Sequence, residues 1–92
     1  MPQNTSSMRA RITEKLTATF APATLEVIDE SEAHRGHGGY REGGETHFRV
    51  IMRAEALNAK TRVAAQRAVY ACLQAELEER VHALSLDIAG TN

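Results

Sequence analysis

The chain is poor in the residues that staple or plug a small protein. Its one cysteine, Cys72, has no internal partner, so no disulfide framework holds the fold. A reducing, cytoplasmic setting is the expectation that follows. There is no tryptophan, and only two tyrosines and two phenylalanines, so the core must be mostly aliphatic. No apolar run approaches the ~18 residues of a transmembrane helix. Residues 1–5 lack a basic segment followed by an apolar run, so neither export nor a membrane role is expected. Neither sign of charge dominates. Lys and Arg number 11 against 12 Asp and Glu, for a net charge of −1. That balance gives no global pull toward nucleic acid or anionic lipid.

What is present fits one small α+β domain. The 92 residues are 42% hydrophobic and 25% charged, an ordinary globular composition with room for one modest core. Residues 1–6 are polar and read as a flexible N-terminus; residues 7–92 read as the domain. Ser7 is a candidate N-cap, and Met8, Ile12, Leu16 and Phe20 recur at helical spacing until Pro22 ends the stripe. Thr24 to Glu30 reads as a strand with Leu25 and Val27 inward. His47 to Arg53 reads as a second, with Phe48, Val50 and Met52 inward and His47, Arg49, Ile51 and Arg53 outward. Ala54 to Asn58 fits a helical turn. Thr61 caps a helix running to about Glu79, whose acidic end of Glu76, Glu78 and Glu79 reads as solvated. Val81 to Ile88 reads as the last strand. The order α-β-β-α-α-β predicts a hairpin of the first two strands and a parallel crossover of the third onto the second. The result is a three-stranded mixed sheet with helices on one face.

The stretch from Asp29 to Val50 breaks this regular pattern. It holds three of the four histidines and five of the six glycines, with no Val, Ile, Leu or Met before Val50. A loop this long between paired strands is usually functional or mobile. His34 and His37 sit two apart among glycines that let a loop wrap a metal. Two histidines do not close a metal site, however, and a solvated polar loop accounts for them better from the residues alone. His82 shares strand parity with Leu84, Leu86 and Ile88. It is expected on the helix-packed side at the strand's mouth, where the crossover would bring it toward His34 or His37. His47 fits loop closure better than ligation. Cys72 fits a small buried hydrophobe. No nucleophile with a base, no complete acid–base pair and no phosphate loop is visible, so no enzyme and no small-molecule substrate is expected.

Certain strings go further. Val27-Ile28-Asp29-Glu30-Ser31 with His34 is followed by Gly44-Glu45-Thr46-His47-Phe48-Arg49-Val50. Val69-Tyr70, Leu73 and Glu76-Leu77 come next, and Val81-His82-Ala83-Leu84 after them. In this order they resemble the BolA-like family across nearly the whole chain. The resemblance implies a fold like a class II KH domain and a partnership with a monothiol glutaredoxin. It further implies a 2Fe–2S cluster held between the two proteins, with a cysteine and glutathione thiolate from the glutaredoxin side. This chain would then contribute His82 and a loop ligand, His34 by alignment, with His37 a close competitor. Histidine ligation raises a cluster's potential and adds a protonation-sensitive ligand. No cluster is expected in the isolated chain. The resemblance also implies DNA-binding regulation through the region of the third helix. There the sequence departs from the family pattern. An Arg-His-Arg string is replaced by Ala65-Gln66-Arg67, a turn glycine by Ala59 and an aromatic by Leu57, and the GxxG clamp of KH domains is missing. Arg49, Arg53, Lys60, Arg62 and Arg67 remain as possible nucleic-acid contacts, so weak or no DNA binding is expected.

Overall fold

Ser7 caps the first helix. Its side-chain oxygen accepts the N–H of Ala10 at 3.1 Å, satisfying one of the amide donors that a helix start leaves open. In the computed structural model, which describes residues 7–30 and 46–91, helix α1 (Met8–Phe20) follows. Then come β1 (Thr24–Asp29), β2 (His47–Arg53), a 3-10 turn (Glu55–Leu57), α2 (Arg62–Cys72), α3 (Gln74–Glu79) and β3 (Ala83–Ala89). The expected flexible segment 1–6 lies outside the described residues. Met8, Ile12, Leu16 and Phe20 form the buried stripe of α1 as their spacing requires. The helix stops at Ala21, whose φ of 45° is the left-handed conformation that ends a helix.

The sheet order is β1-β2-β3. β1 runs antiparallel to β2, with Leu25 opposite Met52 and Val27 opposite Val50. β3 runs parallel to β2, with His47 opposite Ala83 and Val50 opposite Leu86. Phe48, Val50 and Met52 are fully or nearly fully buried on one face, where α1 packs on β1 and α2 on β3. The mixed α+β sheet with helices on one face is therefore present as the pattern predicts.

Two boundaries differ from expectation. The helix expected from Thr61 to Glu79 is two helices, because Leu73 leaves helical dihedrals at φ −105°, ψ 17°. Leu73 is buried, and hydrogen bonds run through the break, from Leu73 N–H to Val69 and from Leu77 N–H to Leu73. The break redirects the second half rather than ending it. The last strand begins at Ala83, not Val81. Val81 is buried ahead of it, which leaves His82 between an anchored apolar side chain and the first paired residue.

Candidate functional site

The parallel register sets the first residues of β2 and β3 side by side at one rim of the sheet. There the carbonyl of Thr46 accepts two N–H groups, from His82 at 2.6 Å and Ala83 at 3.1 Å. On its other side Val81 donates its N–H to the carbonyl of Glu76 at 2.9 Å. The main chain of His82 is thus fixed on both sides, while its side chain is exposed. A side chain carried on a main chain held this way is presented from a fixed origin, so placing it costs less further ordering.

The imidazole of His82 leans on that of His47, with ring centroids 5.5 Å apart and planes tilted by 50°. His47 is only 5% exposed. Its Nδ1 lies 2.9 Å from the hydroxyl oxygen of the wholly buried Thr46, the ring's tautomer deciding which of them donates. Beside the rings is a concavity of about 200 Å3 lined by Glu30, His47, Phe48, Ala83, Leu84 and Ser85.

These positions correct two expectations. His82 does not point among the helix-packed leucines. The strand starts two residues later than expected, so strand parity does not extend to it, and its ring meets that of His47. His47 is not solvent-facing either. At a strand's first residue, side chains from the preceding residue and from the neighbouring strand's approach cover what alternation alone assigns to water. His34 and His37 lie outside the described residues. Among the described residues no group of three or more His, Cys, Asp or Glu side chains could hold a metal.

The five basic residues are not brought together. Arg49 and Arg53 point away from the helix-packed face, each beside a carboxylate, Glu30 at 3.0 Å and Asp87 at 3.1 Å. Such exposed pairs contribute little. Arg53 also donates to the carbonyls of Met52 and Asp87, both at 2.9 Å. Lys60 and Arg62 instead line a second concavity of about 350 Å3, with Thr61, Asn58 and the end of β3. Arg67 is exposed on α2. Cys72 is half-buried, 3.4 Å from the hydroxyl of Thr19, in keeping with its expected packing role. No helix among the described residues is long and apolar enough to cross a membrane.

Sequence patterning missed one charged residue entirely. Glu76 is not solvated: it is 0% exposed. Lys15 Nζ reaches its carboxylate at 2.9 Å and Arg11 Nη2 at 3.0 Å, while Arg11 Nη1 reaches Glu79 at 2.6 Å. Burial by itself pushes the Glu76 carboxyl up. The hydrogen bond from Lys15, a main-chain hydrogen bond, the Lys15 charge and the Arg11 hydrogen bond together outweigh it and hold the carboxyl below its ordinary value. The Arg11 guanidinium is raised, chiefly by its hydrogen bond to Glu79.

Comparison with known proteins places these features in context. A family model described as BolA-like protein matches residues 16–92. A protein of Sinorhizobium sp. encoded in the region 5′ of cobS is 40% identical over 84 residues, covering 90% of each chain. The DNA-binding transcriptional regulator BolA of Escherichia coli K12 is 39% identical over 79 residues, covering 86% of this chain and 71% of that protein. Among solved structures, the BolA domain of SufE1 from Arabidopsis thaliana superposes with a TM-score of 0.83 at 38% identity, covering 96% of each chain.

Proposed function

The chain belongs to the BolA-like family, and we propose that it acts as a non-enzymatic adaptor that pairs with a monothiol glutaredoxin. In that pair His82 is one ligand of a shared 2Fe–2S cluster, in cluster assembly, transfer or iron sensing. The carrying observation is the exposed imidazole of His82 on a main chain fixed by Thr46 and Glu76. One such nitrogen donor suits a group whose thiolate ligands come from a partner and its glutathione. His34 or His37 is the second donor in this reading. The cluster would supply electron-transfer or sulfide-transfer capacity. This chain's own part is to orient one imidazole and to back it with the His47 ring.

The test is reconstitution with a glutathione-loaded monothiol glutaredoxin, followed by visible absorbance and circular dichroism. His82→Ala should abolish or reshape the bands of the mixed complex, and bands identical to the parent's would overturn the reading. His34→Ala and His37→Ala, made separately, identify the loop donor by the same spectra.

A second reading, DNA-binding regulation, draws on the Escherichia coli relative named as such a regulator. Lys60 and Arg62 beside the α2 start, and Arg67 exposed on the same helix, are available for phosphate contacts. Saturable, sequence-dependent binding to promoter DNA at physiological salt would support it. Replacing any one of these cations should then lower the salt slope by about 1.

A further inference from the structure

We infer that Glu76 is the positioning residue of the His82 turn, tying it to helix α1 through both its carboxylate and its main-chain carbonyl. The inference rests on the ligand role proposed above for His82. The carboxylate is wholly buried between Lys15 and Arg11, at 2.9 and 3.0 Å. The carbonyl of the same residue accepts the N–H of Arg80 at 3.0 Å and of Val81 at 2.9 Å. The next amide, that of His82, is held by Thr46. Every amide from Arg80 to Ala83 therefore ends on one of two carbonyls, and one of those belongs to the residue bolted to α1.

The local structure explains why a bolt is needed. Helix α3 has only six residues, no side-chain cap, and a break behind it at Leu73. A helix this short is not stable through its own hydrogen bonds. Leu73 and Val81 bury apolar surface on either side of Glu76, but apolar contact is non-directional and tolerates sliding. A buried carboxylate loses hydration, so an apolar side chain there would serve stability as well or better. What the carboxylate adds is direction. Two charge-assisted bonds from residues one turn apart on α1 fix both the rotation and the height of α3, and hence of the turn it feeds.

Amide hydrogen exchange of the isolated chain, read by nuclear magnetic resonance, tests this. In Glu76→Gln the Arg80, Val81 and His82 amides should exchange roughly tenfold faster relative to Val50 in the central strand. Lys15→Met, which keeps Glu76 but removes one cation, should loosen the same amides, and it carries the test if the glutamine variant fails to fold. Rates that stay unchanged, or that rise only in step with Val50, would overturn the inference, since a merely stabilising residue affects the whole sheet alike. The measurement needs neither cluster nor glutaredoxin. Selective loosening together with mixed-complex spectra indifferent to His82→Ala would sink the ligand reading and leave the bolt standing.

Discussion

The two ends of β3 are built on opposite plans. At the entrance, main-chain bonds to Thr46 and Glu76 do the holding, and the side chain of His82 is left exposed. At the exit, one main-chain bond from the Ala54 N–H to the Ala89 carbonyl at 3.1 Å is joined by a side chain. Asn58 accepts the Thr91 N–H at 2.6 Å and lies against Gly90 so closely that an added Cβ would sit 2.9 Å from the Asn58 Cα. One end fixes backbone in order to present a side chain, while the other spends a side chain in order to fix backbone. Substitutions at the entrance should therefore alter chemistry with little loss of stability, and substitutions at the exit the reverse.

The largest expected effect is that of His82→Ala, which should remove the parent spectrum of the glutaredoxin mixture. It should change the unfolding free energy, read from urea denaturation, by no more than about 0.5 kcal/mol, as for other exposed positions. A large loss of stability would break the contrast. Gly90→Ala should destabilise by about 2 kcal/mol through overpacking against Asn58, measurable by urea unfolding, with the mixed-complex spectrum of the folded fraction unaltered. Asn58→Ala should cost about 1 kcal/mol for the lost bond to Thr91. Because it also removes the Asn58 Oδ1 and Cγ that the added Cβ would meet, though not the Cα, the double variant should lose somewhat less than the two single losses combined.

The smallest effect is set by acid. The Glu76 carboxyl titrates below its ordinary 4.5 in the folded chain. The unfolded chain therefore takes up that proton at higher pH than the folded one. The stabilisation is present above about pH 4.5 and is lost as pH falls through the lower, folded value. Urea midpoints from about pH 7 to about pH 3 should fall less steeply in Glu76→Gln than in the parent. Amide exchange should show the entrance loosening before the exit.

Most of the frame was legible because local patterns encode it. The α1 stripe, both side-chain caps, the inward set of β2 and the parallel crossover follow from spacing and turn chemistry, and the structure repeats them. The mistakes share a cause. Glu76 looked solvated because its partners, Lys15 and Arg11, lie 61 and 65 residues away, beyond any periodicity. His47 looked exposed because alternation describes mid-strand positions, whereas the rim is covered by Thr46 and His82. Alternation carries His82 inward only if the strand extends back to Val81, and it begins at Ala83. In each case long-range packing overrode a local rule that held elsewhere.

The parallel pairing has one last consequence. The strand after His82 meets its neighbour only once the chain between them has wound through two helices and come back. Closing so long an excursion is slow compared with zipping adjacent strands. A nascent or partly melted chain can keep its first two strands together and still lack an ordered imidazole at position 82. Under the ligand role proposed for His82, cluster binding would then certify finished topology, since it needs the last strand docked.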